Sequence, residues 1–176
     1  LIAITKPDFY DGEAAFIKRL FESGFDIVHL RKPNSDIDNC RNILNELSSE
    51  ERSRIVVHDY PELYYEFSLK GIHINKNIVK YPEGYQGFKT RSCHSLEEVM
   101  LYKDDFDYVF LSPLFDSISK QGYKSAFTQD ELRRASEEGI IDEKVVALGG
   151  VTYDRISLLK DLGFGGAAMM GGAFIS

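Results

Sequence analysis

Eight short apolar runs recur along the 176 residues of the chain, and most of them are followed by a segment whose apolar residues have helical spacing. Each run is too short for an independent helix, so we interpret the runs as strands. Strands that alternate with helices need crossover connections, which produce a parallel sheet. Eight such units favour an α/β fold, the closed (β/α)8 TIM barrel, over an open doubly wound sheet. The predicted strands are residues 1–5, 26–31, 54–57, 71–74, 88–92, 108–111, 145–148 and 166–170.

Two of the connections depart from this regular alternation. Residues 75–87 contain Pro82 and Gly84, so no regular fourth helix is expected there. Only six residues follow Met170, so the eighth helix is missing. We expect either a trimmed chain or a second surface that covers this side of the barrel, as a homodimer would provide. The residues expected in or near the barrel core are Val57, Ile72, Val109, Val146 and Ala168.

Polar residues with capping character precede three helical segments, at Ser95, Thr128 and Thr152. Glu98 and Glu131 follow the first two of these residues at the spacing of a capping box. In the helix after the third, Arg155 and Lys160 are expected to face solvent because they lie off the apolar stripe. These signals predict where the helices after the fifth, sixth and seventh strands begin.

Glycine pairs follow the last two predicted strands, at Gly149 with Gly150 and at Gly171 with Gly172. Without side chains at these positions, an anion can approach the backbone N–H groups closely. The alternative interpretation is that the glycines only make tight turns. Because two pairs lie at equivalent places, we expect a phosphate site at these two strand exits.

Composition limits the class of function. A chain of 176 residues fits one well-filled core, so a single domain over residues 1–176 is expected. The net charge of -7 and the pI of about 5.1 argue against nucleic acid as a partner, so any phosphate site must work through local donors. Cys40 and Cys93 form no C-x-x-C pair, and neither a signal peptide nor a membrane-length apolar run is present. We therefore expect a cytoplasmic protein with no membrane partner.

In a barrel of this kind, chemistry gathers at the carboxyl ends of the strands. Arg31 offers a planar fork of donors suited to phosphate, and Lys120 offers a point charge beside two serines. The alternatives are a rim ion pair for the arginine and a solvated loop for the lysine. His73 is expected in the core, and the four histidines are too scattered to predict a metal site. The polar residues at the predicted exits are His29, Arg31, His58, Asp59, Asn75, Lys76, Ser92, Cys93, His94, Ser112, Ser117, Ser119 and Lys120.

These motifs resemble the thiamin phosphate synthase and thiazole tautomerase superfamily of small (β/α)8 barrels. The segments that carry the resemblance are LIAIT, VHLR, IVVHDYPEL, GIHI, TRSCHSLEEV, DYVFLSPLF with SISK, VVALGG and GFGGAAMM. TRSCHSLEEV is more similar to the tautomerase branch. The resemblance implies a thiazole phosphate site at the last two strand exits and, in synthases, a site for aminopyrimidine pyrophosphate with Mg²⁺. Synthases join the two substrates and release pyrophosphate through a carbocation-like pyrimidine.

The resemblance also implies roles for individual residues of this chain. Arg31 matches the arginine that contacts pyrophosphate, Ser92 matches a serine near the leaving group, and Lys120 matches the lysine of the strand-six loop. These three are the expected catalytic residues, and Asp59 is the expected magnesium ligand. The expected substrate-binding residues are His29, His58, Ser117, Ser119, Gly149, Gly150, Met170, Gly171 and Gly172.

The chain departs from the family pattern at several of these positions. His58 stands where the synthases have an asparagine, and Pro33 stands at a lysine position, for which Lys32 is expected to substitute. Ile78 replaces the second magnesium aspartate, so only weak binding of Mg²⁺ is expected. Pro113 occupies the position of the tautomerase histidine and cannot transfer a proton.

Three functions therefore stay open. The first is a thiamin phosphate synthase with an altered metal site. The second is a thiazole tautomerase-like isomerase in which His58, His94 or Cys93 acts as the base. The third is a non-catalytic module that binds thiazole phosphate for regulation. The synthase ranks first because the side chains that hold anions match the family pattern better than those for acid–base chemistry.

Overall fold

The computed structural model describes residues 1–115 and 127–170. Its strands form a closed barrel in the order β1 to β8, which confirms the predicted (β/α)8 fold. The strands are β1 (Ile2–Ile4), β2 (Ile27–Leu30), β3 (Ile55–Val57), β4 (Gly71–Ile74), β5 (Phe88–Cys93), β6 (Tyr108–Leu111), β7 (Val145–Leu148) and β8 (Gly166–Met170). The helices are α1 (Glu13–Glu22), α2 (Ile37–Glu46), α3 (Ser49–Arg52), α4 (Glu62–Phe67), α5 (Leu96–Tyr102), α6 (Gln129–Glu137) and α7 (Ile156–Asp161).

The apolar strand residues form the core, as their continuous hydrophobic runs predict. Every residue expected in the core is at most 4% exposed: Val57, Ile72, Val109, Val146 and Ala168. The helices cover the strands with one apolar face each. In α1, for example, Ile17 is fully buried and Leu20 is 5% exposed, while Lys18 between them is only half-buried.

The chain divides into two compact units, Leu1–Lys89 and Thr90–Ser176. In the first unit, β1 to β4 are parallel, with Ile4 opposite His29 and Val57 opposite Ile72. Their carboxyl ends therefore lie at the same edge of this unit. A single domain over residues 1–176 stays a prediction.

In the second unit, β5 to β8 are also parallel neighbours. Cys93 lies opposite Leu111, and Leu148 lies opposite Ala168. The exits of β5, β6 and β7 are consequently at one edge of this unit. The connections that follow β5, β6 and β7 all belong to the second unit, including the one that contains Gly149 and Gly150.

The connection between β4 and β5 contains no helix in residues 75–87, all of which are described, as the sequence predicts. A tyrosine hydroxyl holds it instead. Tyr85 Oη accepts a hydrogen bond from the Ile72 N–H at 2.8 Å and donates one to the Phe88 carbonyl at 2.6 Å. Gly87 makes room for this ring, since a Cβ there would lie 2.5 Å from the Tyr85 hydroxyl. The phenol group therefore joins β4 to Phe88.

The two predicted capping boxes have different outcomes. Thr128 and Glu131 form the complete box at the start of α6, which confirms the prediction. Ser95 accepts from the Glu98 N–H at the start of α5, but the Glu98 carboxylate accepts from the His94 N–H at 2.7 Å and not from Ser95. The second half of that box is therefore wrong, because the carboxylate reaches one residue further back.

Candidate functional site

Arg31 directly follows β2, and Thr5 fixes its backbone. The Arg31 N–H donates to Thr5 Oγ1 at 3.0 Å, and the same hydroxyl donates to the Arg31 carbonyl at 3.3 Å. Thr5 itself is 6% exposed and directly follows β1. A single buried hydroxyl thus fixes the backbone that carries the guanidinium.

Lys32 does not substitute for the missing phosphate-binding lysine, so that expectation is wrong. Its ammonium is buried in an ion pair with Glu13, at 2.5 Å between Nζ and Oε1. The carbonyls of Lys6 and Asp8 accept its other hydrogen bonds, both at 2.9 Å. All three of its N–H donors are therefore used inside the protein.

Asp59, the expected magnesium ligand, lies half-buried after β3. Its Oδ2 accepts from the Lys32 N–H at 3.0 Å. Ile78, at the second aspartate position, is apolar and only 9% exposed. Within residues 1–115 and 127–170, Asp59 belongs to no group of three side chains that could share an ion. Of the two aspartate positions in the family pattern, this chain keeps the carboxylate at Asp59 alone, so Mg²⁺ would need phosphate oxygens of the substrates to complete its coordination.

Three of the four histidines lie together, so the interpretation of them as scattered is wrong. His29 Nδ1 lies 2.7 Å from His58 Nε2, and the rings of His58 and His73 stack at 4.1 Å with an interplanar angle of 11°. His73 is buried, as expected. Burial, together with the neighbouring His73 ring, lowers the pKa of both His29 and His58 well below the usual value. The two rings are therefore neutral near pH 7.

The side chain of Asn75 organises the exit of β4. Its Nδ2 donates to the His58 carbonyl, while its Oδ1 accepts from the N–H groups of Asn77 at 2.8 Å and Ile78 at 3.0 Å. Side chains of this type commonly bond backbone groups two residues ahead and so form a local turn. Asn75 thereby connects the β3 and β4 exits. The sequence places it at a strand exit but gives no sign of this bridging role.

Ser92 and Cys93 lie on opposite faces of β5, because side chains alternate along a strand. Arg91 shares the face of Cys93, and its guanidinium lies 3.5 Å from the centre of the Tyr102 ring in α5. Cys93 therefore faces the helices, where it is fully buried, and Ser92 faces the barrel interior. Burial raises the pKa of the Cys93 thiol to about 11, so this residue cannot act as a base near pH 7.

His94 lies beside the exit of β6. Its exposed ring donates from Nδ1 to the Ser112 carbonyl, at 2.9 Å. This hydrogen bond holds the ring at the Ser112 carbonyl. The next residue, Pro113, occupies the position of the tautomerase histidine in the family resemblance. In the neutral ring the proton is then on Nδ1, and Nε2 carries the lone pair. Of the three bases considered for a tautomerase, His94 is the one that is exposed.

Gly149 allows the connections after β6 and β7 to approach closely. Its φ is +97°, and a Cβ would lie 2.8 Å from Pro113 Cα. Its carbonyl accepts from the Phe115 N–H at 3.0 Å. Gly150 also has a positive φ, +62°. Tight packing therefore explains Gly149 without any ligand, while its role in binding phosphate stays a prediction.

Arg155 does not face solvent as expected. It donates from Nη1 to the Gly150 carbonyl at 2.8 Å, and its guanidinium lies 4.4 Å from the centre of the Phe115 ring. Thr152 makes no side-chain cap, and the chain enters α7 through a 3-10 turn at Tyr153–Arg155. Arg155 thus holds the connection after β7, which contains Gly149 and Gly150, through the Gly150 carbonyl. One signal in the sequence could have indicated this role, since a cation in the first turn of a helix opposes the helix dipole.

Several predicted site residues lie outside the described residues: Ser117, Ser119, Lys120, Gly171 and Gly172. Met170 ends β8 and is 44% exposed. The roles assigned to these six residues stay predictions, as do those of Arg31 and Ser92. In the first unit, the strand exits carry Arg31, Asp59 and the cluster of His29, His58 and His73. In the second unit, they carry His94, Pro113 and Gly149.

Known proteins resemble this chain over nearly its whole length. The model of the thiamine monophosphate synthase family matches residues 1–173. The thiamine-phosphate synthase of Salinibacter ruber is 24% identical over 91% of this chain and 74% of its own length. That of Limosilactobacillus reuteri is 29% identical over 69% of this chain, and the match spans 59% of that relative.

Solved structures give the same result. Thiamine phosphate pyrophosphorylase from Bacteroides thetaiotaomicron is 42% identical, with a TM-score of 0.89 over 97% of this chain and 82% of that one. The enzyme of the same description from Pyrococcus furiosus is 19% identical with a TM-score of 0.74, which shows the shared fold. From the family match and the 42% identity we conclude that the chain belongs to the thiamine monophosphate synthase family.

Proposed function

We propose that the chain is a thiamin phosphate synthase that couples an aminopyrimidine pyrophosphate to a thiazole phosphate and releases pyrophosphate. The observation that carries this proposal is Arg31, whose backbone is fixed on both sides by the buried Thr5 hydroxyl. The planar guanidinium that this backbone carries can meet two oxygens of a phosphate group at once. Family membership supports the same activity.

The reaction breaks the bond between the pyrimidine methylene and a pyrophosphate oxygen, and the electron pair leaves with pyrophosphate. The thiazole nitrogen then forms the new carbon–nitrogen bond. Negative charge grows on the leaving oxygens, so the site needs preorganised positive charge and hydrogen-bond donors. We assign Arg31 to the pyrophosphate, Ser92 to a neutral hydrogen bond near it, and Lys120 to the same charge by its place in the sequence. We assign the thiazole phosphate to the backbone around Gly149 and Gly150.

We also propose that Mg²⁺ assists this reaction and that Asp59 is its protein ligand. Magnesium commonly uses one or two carboxylates together with substrate phosphates. When bound, the ion neutralises charge on pyrophosphate. Since Ile78 supplies no second carboxylate, we expect the ion to bind more weakly than in an enzyme with two aspartates.

A second candidate function is a tautomerase-like isomerase acting on thiazole phosphate. His94 favours it, because its ring bonds the Ser112 carbonyl beside Pro113. In this reaction His94 Nε2 would take a proton from the thiazole phosphate and return it to another atom of the thiazole ring. If the chain has this second function, His94→Gln should abolish isomerisation. If the chain is a synthase alone, the same variant should leave coupling unchanged.

The test is incubation of the purified chain with both precursors and Mg²⁺, with thiamin phosphate and pyrophosphate measured as products and the thiazole tautomers followed in parallel. Arg31→Ala should lower the turnover number by about a hundredfold or more with a smaller change in KM, since the contact strengthens as the bond breaks. Arg133→Ala is the matched control, because Arg133 is an exposed arginine on α6. Substrate binding without either product would instead support the non-catalytic regulatory module.

We further propose a cytoplasmic location, on the grounds of the unpaired Cys40 and Cys93, and assembly as a homodimer. In the described parts of the chain, no helix combines the length and apolar character needed to cross a membrane. Small phosphorylated molecules are the proposed partners. Light scattering of the purified chain measures the oligomeric state, and a monomer over the full working concentration range would exclude the dimer.

A further inference from the structure

Three buried histidines meet near the carboxyl ends of three neighbouring strands. His29 lies on β2, His58 directly follows β3, and His73 lies on β4. One ring nitrogen from each lies within 4.8 Å of those of the other two. None of the three residues is more than 7% exposed. We propose that His29, His58 and His73 form a binding site for a divalent transition-metal ion of the zinc class, namely Zn²⁺, Co²⁺ or Ni²⁺.

The donor atoms select this class of ion. All three are imidazole nitrogens, and the group includes no carboxylate. Imidazole suits zinc, cobalt and nickel, whereas Mg²⁺ prefers oxygen ligands. Three protein ligands also leave one tetrahedral position open for water or for a substrate oxygen. The site is therefore different from the magnesium site proposed at Asp59, and it is tested without any substrate of the coupling reaction.

The geometry requires only local adjustment of the rings. Zinc lies about 2.0–2.1 Å from imidazole nitrogens, so two nitrogens in a tetrahedral site are about 3.3 Å apart. The His29 Nδ1 to His58 Nε2 distance is 2.7 Å and must open slightly. The rings of His58 and His73 are almost parallel, at 11°, and a metal cannot lie in both ring planes. The His73 ring must therefore turn out of the stack when the ion binds.

The protonation state of the cluster suits a metal. A hydrogen bond between two imidazoles uses one N–H and one lone pair, so His29 and His58 share one proton. When the ion binds, the donor ring moves its shared proton to its other nitrogen. This shift moves a proton within one ring and releases none.

The experiment uses the full chain without an affinity tag, after treatment with a chelator. Zn²⁺ binding is measured by calorimetry, and Co²⁺ binding by its visible ligand-field absorption. We expect one ion per chain. His58→Asn and His29→Gln should each weaken binding by more than about a hundredfold, since each removes a ligand, whereas loss of a mere outer-shell partner costs about ten- to a hundredfold. His94→Gln is the matched control, because His94 is exposed and lies outside the cluster.

Some outcomes would overturn the proposal. Binding of Zn²⁺ that is unchanged in His58→Asn, or the absence of a bound ion in the wild-type chain, would leave the histidines as a neutral hydrogen-bonded cluster. If the variants fail to fold, X-ray absorption of the wild-type chain loaded with Zn²⁺ decides the question. Three imidazole ligands support the site, and an environment without three imidazoles contradicts it.

Discussion

Lys32 Nζ lies 2.5 Å from Glu13 Oε1, and the two side chains are 1% and 2% exposed. The Lys32 ammonium also donates hydrogen bonds to the carbonyls of Lys6 and Asp8, in the connection between β1 and α1. Within the described residues, Glu13 Oε2 has no hydrogen-bond partner. An ion pair removed from water in this way strongly penalises the loss of one member, because the other charge stays buried.

We therefore expect Lys32→Met and Glu13→Leu each to lower the free energy of unfolding by about 3–5 kcal/mol. The double variant should lose much less than the sum, since it leaves no isolated charge. Urea unfolding of the four proteins measures this double-mutant cycle. Strictly additive losses would show that the two charges do not depend on each other.

The two thiols should be unreactive in the folded protein. Burial raises the pKa values of Cys40 and Cys93 to about 11, so at about pH 8 only roughly one thiol in a thousand is ionised. A charged disulfide reagent should modify neither cysteine until urea is added, when both should react. The rate should rise with pH as the thiolate fraction grows. Fast modification of one cysteine without urea would contradict its burial.

The close approach at Gly149 can be separated from its backbone conformation. Gly24 has nearly the same φ, +96° against +97°, but a Cβ there meets nothing within 4 Å. Gly24→Ala should cost about 1–2 kcal/mol, which is the penalty of the left-handed conformation alone. Gly149→Ala should cost more, because its Cβ would lie 2.8 Å from Pro113 Cα. Thermal or urea unfolding measures the two losses of stability. Equal losses for the two variants would mean that the chain at Pro113 shifts without cost to make room for the added Cβ.

Restoring the second carboxylate at Ile78 should have two opposite effects. Ile78 is 9% exposed, so Ile78→Asp replaces a buried apolar side chain with a charge and should lower stability by about 2–5 kcal/mol. If the aspartate reaches the proposed ion with Asp59, added Mg²⁺ should recover part of this loss. Ile78→Asn is the control of similar shape. Identical responses of both variants to Mg²⁺ would remove Ile78 from the magnesium site.

Asn75→Ala tests the bridge between the β3 and β4 exits. The change leaves the His58 carbonyl and the N–H groups of Asn77 and Ile78 without the side chain that bonds them. We expect a loss of about 1–3 kcal/mol and faster hydrogen exchange confined to these residues. Lys76→Ala is the control on the same connection. Unchanged exchange rates at Asn77 and Ile78 would exclude the bridge.

The strands were predictable because their information is local. Most of the apolar runs end at a glycine or a pair of polar residues, and α6 begins after Thr128 with the capping box that the sequence predicts. The candidate site was less predictable because its contacts join residues far apart in sequence. His29, His58 and His73 come from three strands, and no spacing in the chain indicates that their rings meet.

Two wrong predictions concern charged side chains, Lys32 and Arg155, whose partners include residues far away in the sequence. Lys32 and Arg155 are of residue types that usually lie at the surface. Lys32 instead pairs with a buried carboxylate, and Arg155 contacts a carbonyl and an aromatic ring. A long side chain can reach partners several residues away from its own helix or strand. Its partners are therefore fixed by the fold and not by the local pattern.

For protein engineering, the hydroxyl of Tyr85 sets a rule for the connection between β4 and β5. This segment lacks a helix, so it is an attractive place to graft a peptide or a recognition loop. A graft that deletes the phenol would leave the Ile72 N–H and the Phe88 carbonyl without their shared partner. Replacements should therefore keep Asn75, Ile78, Tyr85 and Gly87 as a fixed frame and vary only exposed residues between Ile78 and Tyr85.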